Sequence, residues 1–222
     1  TSQPSPEQFE RLYLDAAAAG DEVLGIFLSD ALSGTGQCAR LAADLANVDN
    51  VVFVNTENVC LGQSLLVRLA VQLRDAGKTI TQIAADLEKA KQHLHLVAAV
   101  DDLKYLRKGG RISGASALVG SLLQIKPILR GNEEGKIVLF DKARGKLRAI
   151  ERLVSIYKER AIDLDDLIGI SHGDCPGEAL RLETKLREAG HRGPILLVPH
   201  EPVTGAHVGP GMLSLYFHAV GK

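Results

Sequence analysis

The stretch that decides the fold is Val23-Leu24-Gly25-Ile26-Phe27-Leu28-Ser29-Asp30-Ala31-Leu32-Ser33-Gly34-Thr35-Gly36-Gln37. Residues 23–28 form an apolar run that reads as a strand. The glycine- and hydroxyl-rich segment after it reads as a turn, and residues 38–45 as a helix. The first turn of a helix leaves backbone N–H groups without intrahelical partners, and the macrodipole adds partial positive charge there. Gly34 and Gly36 let a ligand approach the backbone, while Ser33 and Thr35 add hydroxyl donors. Such a turn holds a carboxylate or a phosphate. Ser and Thr are also ordinary helix caps and glycine is common in strand-to-helix turns, so the residues alone support both readings.

Working outward, the rhythm of β and α continues. Ser5, Pro6 and Gln8 form an N-terminal capping signature, and the helix they open runs over Pro6–Ala19 to Gly20. Residues 50–55 form a short apolar strand of the kind buried in a parallel sheet. Helices over 61–76 and 80–92 follow, the second capped by Thr79, and then a strand over 94–100. This alternation predicts a parallel, doubly wound sheet. Residues 101–125 change character: a short helix ends at Gly109-Gly110, and 113–123 reads as another. Beyond Pro127 come a hairpin over 128–140, a charged helix over Lys146–Arg160, a strand over 167–170 and a helix over 176–189. A strand over 194–198, a His- and Gly-rich loop and a last strand over 212–219 complete the pattern. The expectation is an α/β protein of two lobes. Residues 1–124 form a Rossmann-like lobe, incomplete at its N-terminus, and 125–222 an α+β lobe with a mixed sheet.

Composition narrows the function. A net charge of −1 gives no general pull toward nucleic acid, and 4% aromatics with no Trp leave no base-stacking surface. Cys38, Cys60 and Cys175 are odd in number, scattered and match no metal spacing. They fit small core residues of a reduced chain, and no metal site is expected. No apolar run reaches membrane-spanning length and no signal segment is visible, so the expected location is the cytoplasm. Three features read as decoys. The segment 131–136 is one residue short of a phosphate loop and reads as a hairpin turn. His93 and His95 alternate along a half-exposed strand face. Ser171-His172-Gly173-Asp174 lies just past a strand end, where adjacent Ser and His side chains diverge.

Several motifs occur in order: Thr1-Ser2-Gln3-Pro4-Ser5, Leu32-Ser33-Gly34-Thr35, Asn55-Thr56 with the Gly62 loop, and Leu103 to Ile112 ending in Gly-Gly-Arg-Ile. Ile125-Lys126-Pro127-Ile128-Leu129, Lys142-Ala143-Arg144-Gly145 and Gly205-Ala206-His207-Val208-Gly209-Pro210-Gly211 complete the series. From residue 1 to nearly 222 the chain closely resembles the DegV family, which binds fatty acids and includes the acyl-binding subunits of bacterial fatty-acid kinase. Two departures stand out. A member of the family is expected to carry a further N-terminal segment with a first strand, so this chain reads as a shortened form. Asn55 stands where the family usually has Asp, which keeps a hydrogen-bonding side chain and removes its charge.

The resemblance implies a long-chain fatty acid with its tail buried in the first lobe and its carboxylate near the interlobe cleft. The implied ligand-binding residues are Thr1, Ser2, Ser33, Gly34, Thr35 and His207. A buried carboxylate is costly unless several donors reach it. Ile26, Leu28, Ala117, Leu118, Leu122 and Ile125 are candidate tunnel walls, although for each of them individually ordinary core packing is the simpler explanation. Arg111 and Arg144 are expected to engage the partner, the catalytic subunit of fatty-acid kinase. Ligand exchange requires transient membrane contact, in the service of phospholipid synthesis. No cofactor is expected beyond the fatty acid as ligand. The chain is then a non-catalytic carrier. The rival is a lipid esterase or thioesterase with Ser33 as nucleophile and His207 as base, for which Leu32-Ser33-Gly34 lacks the Gly-x-Ser-x-Gly elbow.

Overall fold

The computed structural model of the chain describes residues 1–112 and 124–221. The helix expected over 113–123, with the candidate wall residues Ala117, Leu118 and Leu122, lies outside the described residues. Packing divides the chain into two units, one of residues 1–59 and 63–92 and the other of residues 60–62 and 93 onward. The architecture is mixed α/β, with a parallel sheet in the first unit and a mixed sheet in the second.

In the first unit, α1 (Pro6–Ala19) begins where the Ser5 N–H donates to the Gln8 side-chain oxygen at 3.0 Å. It ends at Gly20, whose φ of 75° suits a left-handed cap. Strands β1 (Val23–Phe27) and β2 (Val51–Asn55) pair in parallel, with Val23 opposite Val51 and Phe27 opposite Asn55. Helix α2 (Thr35–Ala46) makes the crossover between them. It buries only small side chains, Gly36, Cys38, Ala39, Ala42 and Ala43, which allows close packing. The rings of Phe9, Tyr13, Phe27 and Phe53 pack edge-on and stacked at centroid distances of 5.8–6.3 Å. Such ring pairs contribute about 0.5–1.5 kcal/mol each beyond their buried area. Helices α3 (Leu61–Asp75) and α4 (Ile80–Ala90) follow. Thr79 caps α4 reciprocally with Gln82, as expected.

The second unit holds six strands in the order β5-β4-β3-β8-β6-β7. They are β3 (Leu94–Ala99), β4 (Ile125–Gly131), β5 (Ile137–Arg144), β6 (Ile168–His172), β7 (Ile195–Pro199) and β8 (Leu213–His218). Among the described residues of this unit, only β6 and β7 pair in parallel. Helices α6 (Lys146–Arg160) and α7 (Pro176–Glu188) pack on this sheet through Leu153, Tyr157, Leu182 and Leu186, against Ile170, Leu215 and Phe217. The Tyr157 hydroxyl meets His191 Nδ1 at 2.8 Å in this core. Two short helices, α5 (Lys104–Gly109) and α8 (Pro202–Val208), pack on each other. Among the described residues no helix is long and apolar enough to cross a membrane.

Three local expectations are corrected. The strand at 94–100 does not extend the parallel sheet; β3 is a central antiparallel strand between β4 and β8. A continuous apolar run marks burial on both faces and carries no information on direction. For the same reason His95 is not on a half-exposed face: all six residues of β3 are buried, and His93 precedes the strand in a 3-10 turn. The His- and Gly-rich loop contains α8, with Pro202 at its first position.

Candidate functional site

The turn between β1 and α2 is built within the first unit. Ser33 N–H donates to the Ser29 carbonyl at 3.1 Å, and Ser33 Oγ shares a hydrogen bond with Thr35 Oγ1 at 2.9 Å. Thr35 N–H also points at Ser33 Oγ, 3.3 Å away, so the hydroxyl of Ser33 is held over the first turn of α2. Gly34 is the N-cap residue of that helix. A Cβ on Gly34 would run into the side-chain amide of Gln3, so the absence of a side chain admits the N-terminal segment. The Cys38 thiol reaches the Pro4 carbonyl at 3.4 Å and pins the same segment. Thr1 and Ser2 stand exposed at its start. The motifs around Ser2 and Ser33, far apart in sequence, therefore meet at one helix N-terminus through Gln3 and Gly34.

The strand ends supporting this turn are tied by side chains. Asn55 Oδ1 accepts from the Asp30 N–H at 3.2 Å and from the Glu57 N–H at 3.1 Å. An amide oxygen performs this without a negative charge, which is what Asn in place of Asp retains. Asp30 in turn pairs with Arg40 of α2 at 2.5 Å. Below them Lys91, only 7% exposed at its side chain, donates to the Asn55 carbonyl at 3.0 Å and pairs with Glu57 at 3.0 Å and Glu88 at 2.6 Å. Burial works against its charge, but the two carboxylates hold the ammonium protonated above the usual lysine range. Glu88 is a local partner of this buried cation, but Glu57 and the Asn55 carbonyl are more than thirty residues away, so no local pattern announces its burial.

The second unit carries His207, Arg111 and Arg144. His207 is half-buried on α8, and its ring lies so close to Gly109 that a Cβ there would strike Nδ1. Burial first, and then the nearby Arg111 charge, lower the His207 pKa below the usual histidine value. Arg111 is exposed and its guanidinium donates to the Gly109 carbonyl. The Gly-Gly-Arg and Gly-Ala-His motifs thus come together at the α5–α8 contact. Arg144 stands exposed at the end of β5, opposite Ile125 of β4. Ile26 and Leu28 in the first unit, and Ile125 in the second, are half-buried. Lys126 of the Ile-Lys-Pro motif pairs with Asp101 at 2.9 Å, and Lys146 lies 3.4 Å from Asp101 and 3.1 Å from Glu178. Ser171 and His172 end β6 in buried positions, and His172 Nδ1 accepts the Cys175 N–H at 3.3 Å, a structural use.

Comparison with known proteins agrees with this arrangement of motifs. The family described as "Uncharacterised protein, DegV family" matches residues 1–220. A DegV domain-containing protein of Listeria monocytogenes is 38% identical over 221 residues, covering 97% of this chain and 76% of the relative. The crystal structure of a fatty acid binding DegV family protein from Streptococcus agalactiae superposes with a TM-score of 0.89 at 31% identity. It is matched over 100% of this chain and 78% of its own. A fatty-acid-binding DegV family protein from Thermus thermophilus gives a TM-score of 0.89 at 30% identity, over 99% of this chain and 78% of its own. With a family match along nearly its whole length and relatives at this level of identity, the chain belongs to the DegV family.

Proposed function

We propose that this chain binds a long-chain fatty acid through its carboxylate and presents that carboxylate to a separate kinase, which converts it to an acyl-phosphate. The observation that carries the first half is the hydroxyl-lined N-terminus of α2, in a chain whose relatives from Streptococcus agalactiae and Thermus thermophilus bind fatty acid. A carboxylate there meets the positive end of the helix dipole and the Ser33 and Thr35 hydroxyls. Thr1, Ser2 and His207 are the further donors in this proposal, and charge-assisted bonds to an anion are stronger than neutral ones. The acyl chain supplies the rest of the affinity, at about 0.8 kcal/mol per buried CH₂ before the costs of ordering it.

The second half rests on the family resemblance and on the two exposed arginines, Arg111 and Arg144, offered as the kinase-facing residues. In this reading the chain is non-catalytic, needs no cofactor, works in the cytoplasm and exchanges ligand through brief contact with a membrane. The Ser33 environment supports a binding role over a nucleophilic one. Its oxygen accepts the Thr35 N–H and shares a hydrogen bond with the Thr35 hydroxyl, so it is tied into the first turn of α2. The deciding experiment pairs fatty-acid titration with an activated-ester assay, on the wild-type chain and on Ser33→Ala. Saturable fatty-acid binding that weakens in the variant, with no ester turnover, supports the carrier. Ester turnover by the wild-type chain that disappears in Ser33→Ala would establish the hydrolase instead.

A further inference from the structure

Within the second unit, three side chains that the fatty-acid reading does not use converge on one point. Cys60, His200 and Glu201 each offer one ligand atom, and these atoms lie within 4.8 Å of one another. They come from the loop before α3 and from the segment joining β7 to α8, 140 residues apart, so no spacing in the sequence could announce them. The backbone of each is held. Cys60 adopts a left-handed φ of 54°, a conformation that a non-glycine residue seldom occupies. His200 is fixed by its N–H bond to the His172 carbonyl at 2.8 Å, and Glu201 is the N-cap residue of α8. Thr204, one turn into α8, bonds the Glu201 carboxylate and stands 3.2 Å from the Cys60 sulfur.

The second observation is the state of His200. Both ring nitrogens are buried, and neither has a hydrogen-bond partner among the described residues. A neutral imidazole carries one donor and one acceptor, and burying both unmade is unfavourable. A metal ion on one nitrogen removes the larger part of that penalty.

We propose that Cys60, His200 and Glu201 form a binding site for a borderline-soft divalent cation of the zinc class, with a fourth position open to water. Thiolate, imidazole and carboxylate are the donors that such an ion prefers, and three protein ligands plus water is its usual open geometry. The charges close as well: one thiolate and one carboxylate neutralise a dication, leaving no net charge at a partly buried site. Tetrahedral zinc at about 2.0–2.3 Å from each ligand separates ligand atoms by roughly 3.3–3.8 Å, so side-chain rotation of about 1 Å completes the set. On binding, a metal–sulfur bond forms and the Cys60 proton leaves to solvent. This site is independent of the fatty-acid proposal.

Cobalt(II) titration of the tag-free, metal-stripped chain tests it. The expected result is one equivalent bound, with a thiolate-to-cobalt charge-transfer band, intense tetrahedral d–d bands and displacement by zinc. Absence of the charge-transfer band overturns the proposal. So does its survival in Cys60→Ser, in which Cys38 and Cys175 remain. His200→Gln is expected to weaken cobalt at least about tenfold, and unchanged affinity would contradict its role. A probe of the unmutated chain guards against variants that fail to fold. Zinc is expected to slow alkylation of Cys60, mapped by peptide mass spectrometry, relative to the chelator-treated chain; equal rates at Cys60 overturn the site.

Discussion

At the scale of single residues, the proposed carboxylate site depends on a few polar atoms. Removing the Ser33 hydroxyl takes one donor from a proposed carboxylate site, and removing the His207 imidazole takes another. A hydrogen bond to a charged group contributes about 1.5–3 kcal/mol, so each of Ser33→Ala and His207→Ala is expected to raise the fatty-acid Kd by roughly 10- to 100-fold. Isothermal titration with a long-chain fatty acid measures this, and a Kd unchanged in both variants contradicts the assignment. Lys91 gives an independent test of the frame beneath the turn. Lys91→Met removes the buried ammonium that pairs with Glu57 and Glu88 and donates to the Asn55 carbonyl. Breaking such a pair is expected to cost about 2–4 kcal/mol in urea unfolding. A loss below 1 kcal/mol would show that the network is peripheral. None of this was readable from Lys91 itself, which sits in sequence like any lysine near the end of a polar helix.

At the scale of elements, the sequence was most legible where local chemistry decides. The capping pairs Ser5–Gln8 and Thr79–Gln82, the glycine stop at Gly20 and the helix over Lys146–Arg160 all follow from nearest neighbours and periodicity. Legibility failed where distant partners decide. The run 94–99 read as a strand with a half-exposed face, so neither its full burial nor its antiparallel pairing was legible, and α8 was hidden among glycines and histidines although Glu201-Pro202 is a helix-start signal. The α5–α8 contact can be tested as a pair. Gly109→Ala drives a methyl into His207 Nδ1 and is expected to destabilise the chain by about 1–3 kcal/mol. In a His207→Ala background that cost should largely vanish, a coupling that a double-mutant cycle reads directly. Additive effects would mean that the two residues do not share the contact.

The α6–α7 layer makes a pH prediction. Burial, helped by the Arg187 charge, holds His191 below its ordinary value of 6.5, so the unfolded chain takes up this proton more readily than the folded one. Its contribution to stability is therefore complete above pH 6.5 and is lost as pH falls toward the folded-state value. His191→Gln is expected to lower stability at pH 7.5, where Tyr157 loses its ring partner, and to flatten the decline below pH 6.5. Unfolding free energies at a series of pH values test both arms. A decline as steep in the variant as in the wild type would assign it to other groups.

At the scale of the whole molecule, the ordered motifs from Thr1 to Gly211 carried the family, although no one of them carries it alone. What the sequence could not supply is which side chains become neighbours: Gln3 against Gly34, His207 against Gly109, and Cys60 beside His200 and Glu201. These are products of chain path, and local composition does not encode them. If the chain is a carrier, ligand stabilises it by mass action. Fatty acid at about 100 times its Kd adds about 2.7 kcal/mol, which raises the melting temperature of a chain of this size by roughly 5–10 °C. No shift at saturating ligand would contradict binding to the folded form. The most direct measurement of the central claim is mass spectrometry of the lipid extracted from the purified chain, beside a Ser33→Ala/His207→Ala double variant. The account predicts a stoichiometric long-chain fatty acid in the wild type and its depletion in the folded variant. A folded wild-type chain that carries no fatty acid, and takes none up when it is offered, would contradict it.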